Sequence, residues 1–125
     1  MRGIAFYFFA FAVLCVTIGM LWGIQMAASG DHELYPAHAH LNLVGWVSMG
    51  LFGVYYRLTP AAAEAGLAKI HFVVAALGVM IMIPGIVLAL TERGEMLAVT
   101  GSFLTLASML IFGFTVLRHG FGAQA

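Results

Sequence analysis

Long apolar runs separated by short polar segments dominate the pattern of hydrophobic and polar positions along the chain. Four such runs cover about residues 4–28, 38–56, 70–90 and 97–117. Each is close to the ~20 residues that an α-helix needs to cross a hydrocarbon core of ~30 Å. None of the runs alternates as a barrel strand would, so the backbone must satisfy its hydrogen bonds within helices. The pattern predicts an all-α protein, an antiparallel bundle of four transmembrane helices in a single membrane domain spanning residues 1–125.

The composition also indicates a membrane protein. Of the 125 residues, 63% are hydrophobic and 8% are charged, with a mean hydropathy of +1.05. So much apolar surface cannot be hidden from water in one small globule, and we expect the lipid bilayer to be a partner. The formal net charge is zero and the five basic residues are scattered, so no nucleic-acid partner is expected.

The basic residues predict how the helices are oriented in the membrane. Arg2, Arg57, Lys69 and Arg118 fall on one side of the expected bundle, and only Arg93 falls on the other. The positive-inside rule makes the first side cytoplasmic, so both termini are expected inside a bacterial cytoplasmic membrane. The first apolar run is too long for the core of a signal peptide and is expected to be retained as a helix.

Candidate chemistry is concentrated at the start of the second run, where His38, His40 and Asn42 interrupt apolar sequence. Residues of a helix turn by about 100° each, so the two histidines point about 200° apart, while His38 and Asn42 share a face. Two histidines on opposite faces serve two different sites. Ionisable residues within a membrane span are costly and usually mark a function. Neutral imidazole is a ligand for haem iron, copper or zinc.

Haem is the cofactor that this segment favours. The chain has no Cys-x-x-Cys-His motif, so covalent haem attachment is excluded. An apolar slot that contains glycine suits a porphyrin, which needs only one or two imidazoles. Gly45 and Gly53 lie on the face of His38 and leave a shallow groove, open either to another helix or to a flat cofactor. Asn42 and Trp46 are candidate neighbours of the cofactor, with simple packing as the alternative.

Several features recur in the order seen in a known family. They are Ala37-His-Ala-His40, then Gly53-Val-Tyr-Tyr56 and Pro60, then Leu67-Ala-Lys-Ile-His-Phe72, Gly78 and Pro84. This block, nearly half of the chain, resembles the tenth and eleventh helices of subunit I of the haem-copper oxidases.

The resemblance implies roles for particular histidines. In that family the first histidine of the pair ligates the high-spin haem and the second ligates the low-spin haem, roles that would fall on His38 and His40. The family's histidine at the position of His71 is not a haem ligand, and we expect His71 to be an interfacial residue at a helix start. The family's fold has twelve helices in three arcs of four, of which this chain would supply one arc.

The copper-site histidines, the cross-linked tyrosine and the other low-spin haem ligand of the family lie on helices that this chain lacks. Oxygen reduction by one chain is therefore not expected. We predict instead a haem b protein for electron transfer with a redox partner, or for binding a diatomic gas such as O₂ or NO. His40 is the first candidate ligand and His38 the second. Asp31 and Glu33 are expected to orient the His38 ring.

The missing axial ligand predicts a homo-oligomer. Because His38 and His40 face apart, each would meet a histidine of a neighbouring copy around a closed ring. Three copies would rebuild twelve helices, so a homotrimer is expected first and a dimer next. Two alternatives stay open: copper or zinc bound by His32, His38 and His40 at the outer surface, or an oxidase-like scaffold subunit without a cofactor.

Overall fold

A computed structural model describes residues 3–123. Arg2, which contributed to the predicted orientation, lies outside the described residues. All secondary structure from residue 3 to residue 123 is helical, which confirms the all-α class. The elements are α1 (Ile4–Ser29), α2 (Tyr35–His40), a π-helical segment (Leu41–Ser48), α3 (Met49–Leu58), α4 (Pro60–Glu64), α5 (Gly66–Leu90) and α6 (Met96–His119).

Three of these helices, α1, α5 and α6, are long and apolar enough to cross a membrane, so the chain is an integral membrane protein. Helix α2, the π segment and α3 follow one another without a break, and residues 35–58 form one continuous helical rod, here called the central rod. It begins three residues before the predicted run because Pro36 occupies its first turn, where a missing N–H is tolerated.

Helix α1 packs antiparallel to the central rod along a row of small residues. A Cβ atom placed on Gly45 would lie 2.8 Å from Sγ of Cys15, and one on Gly53 would lie 3.1 Å from the backbone nitrogen of Phe9. The contacting residues of α1 decrease in residue number, from Cys15 to Phe9, as those of the rod increase from Gly45 to Gly53, so the two helices run in opposite directions. The groove expected along these glycines is filled by α1, which is the helix-packing interpretation of the pattern.

Helices α5 and α6 pack even more closely. A Cβ atom on Gly78 would lie 3.1 Å from the backbone nitrogen of Thr105, and one on Gly101 would lie 2.5 Å from Cα of Met82. No methyl group fits 2.5 Å from a backbone atom, and at 3.1 Å the neighbouring helix would have to shift by a few tenths of an ångström, so these glycines allow the two helices to touch. The two helices also run antiparallel, since Gly101 precedes Thr105 while Met82 follows Gly78.

His71 lies at the centre of the bundle, so its expected interfacial location is wrong. Its side chain is fully buried among aromatic rings of three other helices, with centroids of Phe8, Phe52 and Phe112 at 4.9, 4.6 and 5.8 Å. Its Nδ1 atom is 2.8 Å from the hydroxyl of Tyr56. Helix α5 begins at Gly66 rather than near residue 70, which places His71 in the second turn and turns it towards the core.

The pair formed by Tyr56 and His71 should contribute measurably to stability. Replacing Tyr56 by phenylalanine leaves the buried imidazole without its partner, and we expect a loss of about 1–3 kcal/mol. Replacing both residues by phenylalanine removes donor and acceptor together and should recover most of that loss. Thermal unfolding of the two single variants and the double variant in detergent measures the coupling. Additive losses would contradict a coupled pair.

The ends of the central rod and of α6 meet at one end of the bundle. The hydroxyl of Tyr55 donates to the carbonyl of Gly120 at 2.6 Å. This end therefore carries Arg57 of the rod and Arg118 of α6. It also carries Lys69, in the first turn of α5, and is here called the basic end.

Candidate functional site

The two candidate histidines lie at the opposite end of the bundle, here called the loop end, beside the connection between α1 and α2. Gly30 closes α1 in the left-handed conformation, with φ of 73°, and its N–H donates to the carbonyl of Met26 at 2.9 Å. Such a C-cap favours glycine because a Cβ atom is disfavoured there. After a four-residue turn the chain enters α2, which carries His38 and His40 towards its C-terminal end.

His38 faces α1. Its ring meets Trp22 edge to face, with centroids 6.2 Å apart and planes at 83°. A Cβ atom placed on Gly23 would lie 3.3 Å from Cε1 of His38. The imidazole of His38 therefore lies against the indole of Trp22 and the backbone of Gly23, which leaves no space for a porphyrin on the side of the rod that faces α1.

Asn42 lies one turn after His38 on the same face, as predicted. Its Nδ2 atom is 3.3 Å from Nε2 of His38. A side-chain amide nitrogen can only donate, so Nε2 accepts and Nδ1 carries the proton. Both Nδ1 of His38 and Oδ1 of Asn42 are buried without a hydrogen-bond partner among the described residues.

The loop acids do not orient His38. Its Nδ1 atom has no partner, and Oδ1 of Asp31 instead accepts the backbone N–H of Glu33 at 3.0 Å. The expectation that Asp31 or Glu33 holds this ring is therefore wrong. Both acids belong to an exposed turn, whereas the ring is turned into the seam with α1.

His40 has the opposite environment. Its side chain is exposed, and its Nδ1 atom lies 2.7 Å from the carbonyl oxygen of Pro36. A carbonyl only accepts, so Nδ1 carries the proton and Nε2 keeps its lone pair. Within residues 3–123 nothing hydrogen-bonds to Nε2. Metal-ligating histidines almost always donate the other ring N–H to a carbonyl, a carboxylate or water, because that bond fixes the tautomer and the ring orientation.

The inward position of His38 and the outward position of His40 agree with the predicted angle of about 200° between them. The structure does not bring the two rings to a common point. The carbonyl of Pro36, which orients His40, was not predicted. The only sequence signal for it is the four-residue separation that makes the two residues neighbours on a helix.

A π-helical segment begins immediately after His40 and extends from Leu41 to Ser48. The hydroxyl of Ser48 donates to the carbonyl of Leu43 at 3.1 Å, five residues earlier. Such segments account for well under 1% of residues in soluble proteins and often lie at functional sites. Its position beside His40 is a second structural indication that the loop end has a function.

The other predicted cofactor neighbours lie in this π segment and point towards α1. Gly45 is buried against Cys15, and the ring of Trp46 is 6.4 Å from that of Phe9. Asn42 bonds to His38. These contacts are helix packing within one chain, and a role of the three residues at a cofactor stays a prediction.

The alternative copper or zinc site does not form within one chain. Nδ1 of His32 lies 3.3 Å from the carbonyl of Gly30, while His38 and His40 point in different directions. In the described part of the chain no three side chains of His, Cys, Asp or Glu are grouped so as to hold a metal ion.

No protein-family model matches the chain, and neither does any curated protein or solved structure. Similarity to haem-copper oxidase subunit I therefore stays a prediction from the sequence motifs. What the loop end can do must be inferred from its own geometry.

Proposed function

We propose that this chain is a membrane haem b protein that binds the iron through Nε2 of His40 and serves electron transfer or the binding of a diatomic gas such as O₂ or NO. The observation that carries the proposal is the state of the His40 ring. It is exposed, its Nδ1–H is held by the carbonyl of Pro36, and its Nε2 lone pair has no partner within the described residues. A neutral imidazole in this state is a ready ligand for haem iron.

The proposal includes four membrane-spanning helices, with the central rod as the fourth. From residue 35 to residue 58 the rod rises by about 36 Å at ~1.5 Å per residue, which exceeds a hydrocarbon core of ~30 Å. Arg57, Lys69 and Arg118 at the basic end outnumber Arg93 at the loop end, so the basic end faces the cytoplasm of a bacterial cell. The histidines then lie near the outer leaflet of the cytoplasmic membrane.

The surroundings of His40 suit a porphyrin. Leu43 and Val47 follow it along the rod and are 61% and 43% exposed. Their apolar side chains are available to one face of the macrocycle, while the Pro36 carbonyl keeps the imidazole ring from rotating. The bound haem would supply an iron that changes its redox state or binds gas.

His38 is the weaker candidate ligand. Its Nε2 atom already accepts from Asn42, and α1 covers the ring through Trp22 and Gly23. Ligation by His38 requires that α1 move away and that the bond to Asn42 break. The same argument disfavours the expected trimer, in which His38 of each copy meets His40 of the next.

A twofold dimer fits the available ligand better. His40 of one chain would supply one ligand to the iron, and His40 of a second copy related by a twofold axis would supply an identical one. Ligation by two imidazoles favours electron transfer, whereas an iron left with one imidazole has an open position for a gas.

The stoichiometry of the purified protein tests this assembly. Native mass spectrometry of the wild-type protein in mild detergent should show two chains with one haem, and His40→Ala should give chains without haem. A haem-bound monomer would contradict the shared ligation, and three chains would favour the trimer. A colourless protein that co-purifies with larger membrane proteins would favour the cofactor-free scaffold subunit.

A further inference from the structure

We propose that the seam between α1 and the basic half of the central rod binds one phospholipid with a primary ammonium headgroup, of the phosphatidylethanolamine class. The site is a cleft of about 630 Å³ at the basic end, whose walls include Phe6, Phe9, Val54 and Leu58. Its charged rim at Arg57 and Glu64 is far from His40 along the rod, and the inference does not depend on haem binding.

Among residues 3–123, two charged side chains of opposite sign line this cleft. They are Arg57 and Glu64, and both are exposed. Neither makes an ion pair with the other or with any residue between positions 3 and 123. A guanidinium and a carboxylate that share a cleft without pairing match a ligand that carries both charges. In a phospholipid, the phosphate would accept from Arg57 and the ammonium would donate to Glu64.

The length of the apolar part matches one leaflet of a bilayer. A second, smaller cleft of about 240 Å³ shares Phe9 and Val54 with the first and continues along the same seam to Trp46. From Trp46 to Leu58 the rod rises by about 18 Å. The hydrocarbon of one leaflet is about 15 Å thick, half of a ~30 Å core. An acyl chain can therefore follow the seam while its headgroup stays at the charged rim.

The carboxylate of Glu64 determines which lipid headgroup the site prefers. A primary ammonium has three N–H donors and can hydrogen-bond to the carboxylate, as the lysine ammonium does. The quaternary ammonium of phosphatidylcholine has no donor. Phosphatidylglycerol brings a negative charge with no cation to meet Glu64. We therefore expect phosphatidylethanolamine to be preferred over both.

Lipid titration of the purified protein in detergent, followed by native mass spectrometry, tests the site. Phosphatidylethanolamine, phosphatidylcholine and phosphatidylglycerol with identical acyl chains are compared. We expect phosphatidylethanolamine to bind about tenfold more tightly than phosphatidylcholine, the effect of one charge-assisted hydrogen bond. Glu64→Gln should remove this preference, and Arg57→Gln should weaken the binding of all three lipids. Glu92→Gln, an exposed acid at the loop end, should change nothing.

A variant that fills the seam provides an independent test of location. Val54 is 44% exposed in the groove, and Val73 on α5 is 53% exposed outside it. Val54→Trp should abolish tight binding, whereas Val73→Trp should not. Unchanged binding in Val54→Trp, or an equal affinity for the three lipids in the wild type, would overturn the proposal. The visible absorption spectrum reports haem separately, so failure here is distinguishable from failure at His40.

Discussion

Replacing His40 by alanine is expected to remove haem from the protein almost completely. The substitution deletes the exposed imidazole of the central rod, whose Nδ1–H is held by the carbonyl of Pro36 at 2.7 Å. Loss of a second-shell partner typically lowers metal affinity by about 10–100-fold, so loss of the ligand itself should lower haem affinity by at least about 100-fold. The ratio of Soret absorbance to protein, with iron analysis of the same sample, measures the effect.

Two neighbouring histidines provide the matched controls. His32 is exposed at the same end, but it lies in the turn before the central rod, away from Leu43 and Val47, and its Nδ1 contact with the carbonyl of Gly30 is longer, at 3.3 Å. His32→Ala should therefore keep its pigment. His38→Ala should also keep most of it, because the ring of His38 is turned towards α1. If His38→Ala loses its pigment while His40→Ala keeps it, the haem site lies on the face of the rod that packs against α1, and the proposed ligand is wrong.

Replacing Gly101 by alanine should be among the most damaging single changes to the fold. The added Cβ atom would lie 2.5 Å from Cα of Met82, a backbone atom that can yield only if α5 and α6 separate. Overpacking of a core costs about 1–3 kcal/mol and occasionally more, and we expect a loss of about 3 kcal/mol here. Thermal unfolding followed by circular dichroism in detergent measures it.

Gly113 on the same helix is the control. Nothing lies within 4 Å of a Cβ atom placed there, so Gly113→Ala tests helix propensity alone. Alanine is favoured over glycine within a helix by about 0.5–1 kcal/mol, and this variant should be as stable as the wild type or slightly more stable. Equal destabilisation by the two substitutions would show that the close contact between α5 and α6 is not what gives Gly101 its importance.

The helical class could be predicted from the sequence because apolar runs of spanning length leave the backbone no alternative inside a bilayer. The divergent directions of His38 and His40 also followed from helical geometry alone. Both are local properties, fixed by chain length and by the turn per residue. The start of the rod was predicted less well, since the second run was expected from about residue 38 and the rod begins at Tyr35, with Pro36 in its first turn.

Properties that depend on several helices could not be predicted. The burial of His71 requires Phe8, Phe52 and Phe112 from three other helices, and no local pattern reveals that they converge. The π segment after His40 has no reliable sequence signature. Asp31 and Glu33, in the loop between α1 and α2, were expected at His38 because carboxylates often orient the ring N–H of a metal-ligating histidine, but a side chain buried in the seam with α1 is out of their reach.

The identity of the atoms bound to the iron tests the central claim most directly. Pulsed electron paramagnetic resonance on the ferric protein, with histidine labelled with nitrogen-15, detects imidazole nitrogens coupled to the metal. We expect strongly coupled nitrogen-15 from two histidine rings, unchanged when His38 is replaced by alanine. A haem signal without coupled histidine nitrogen, or one that persists unchanged in His40→Ala, would contradict ligation by His40.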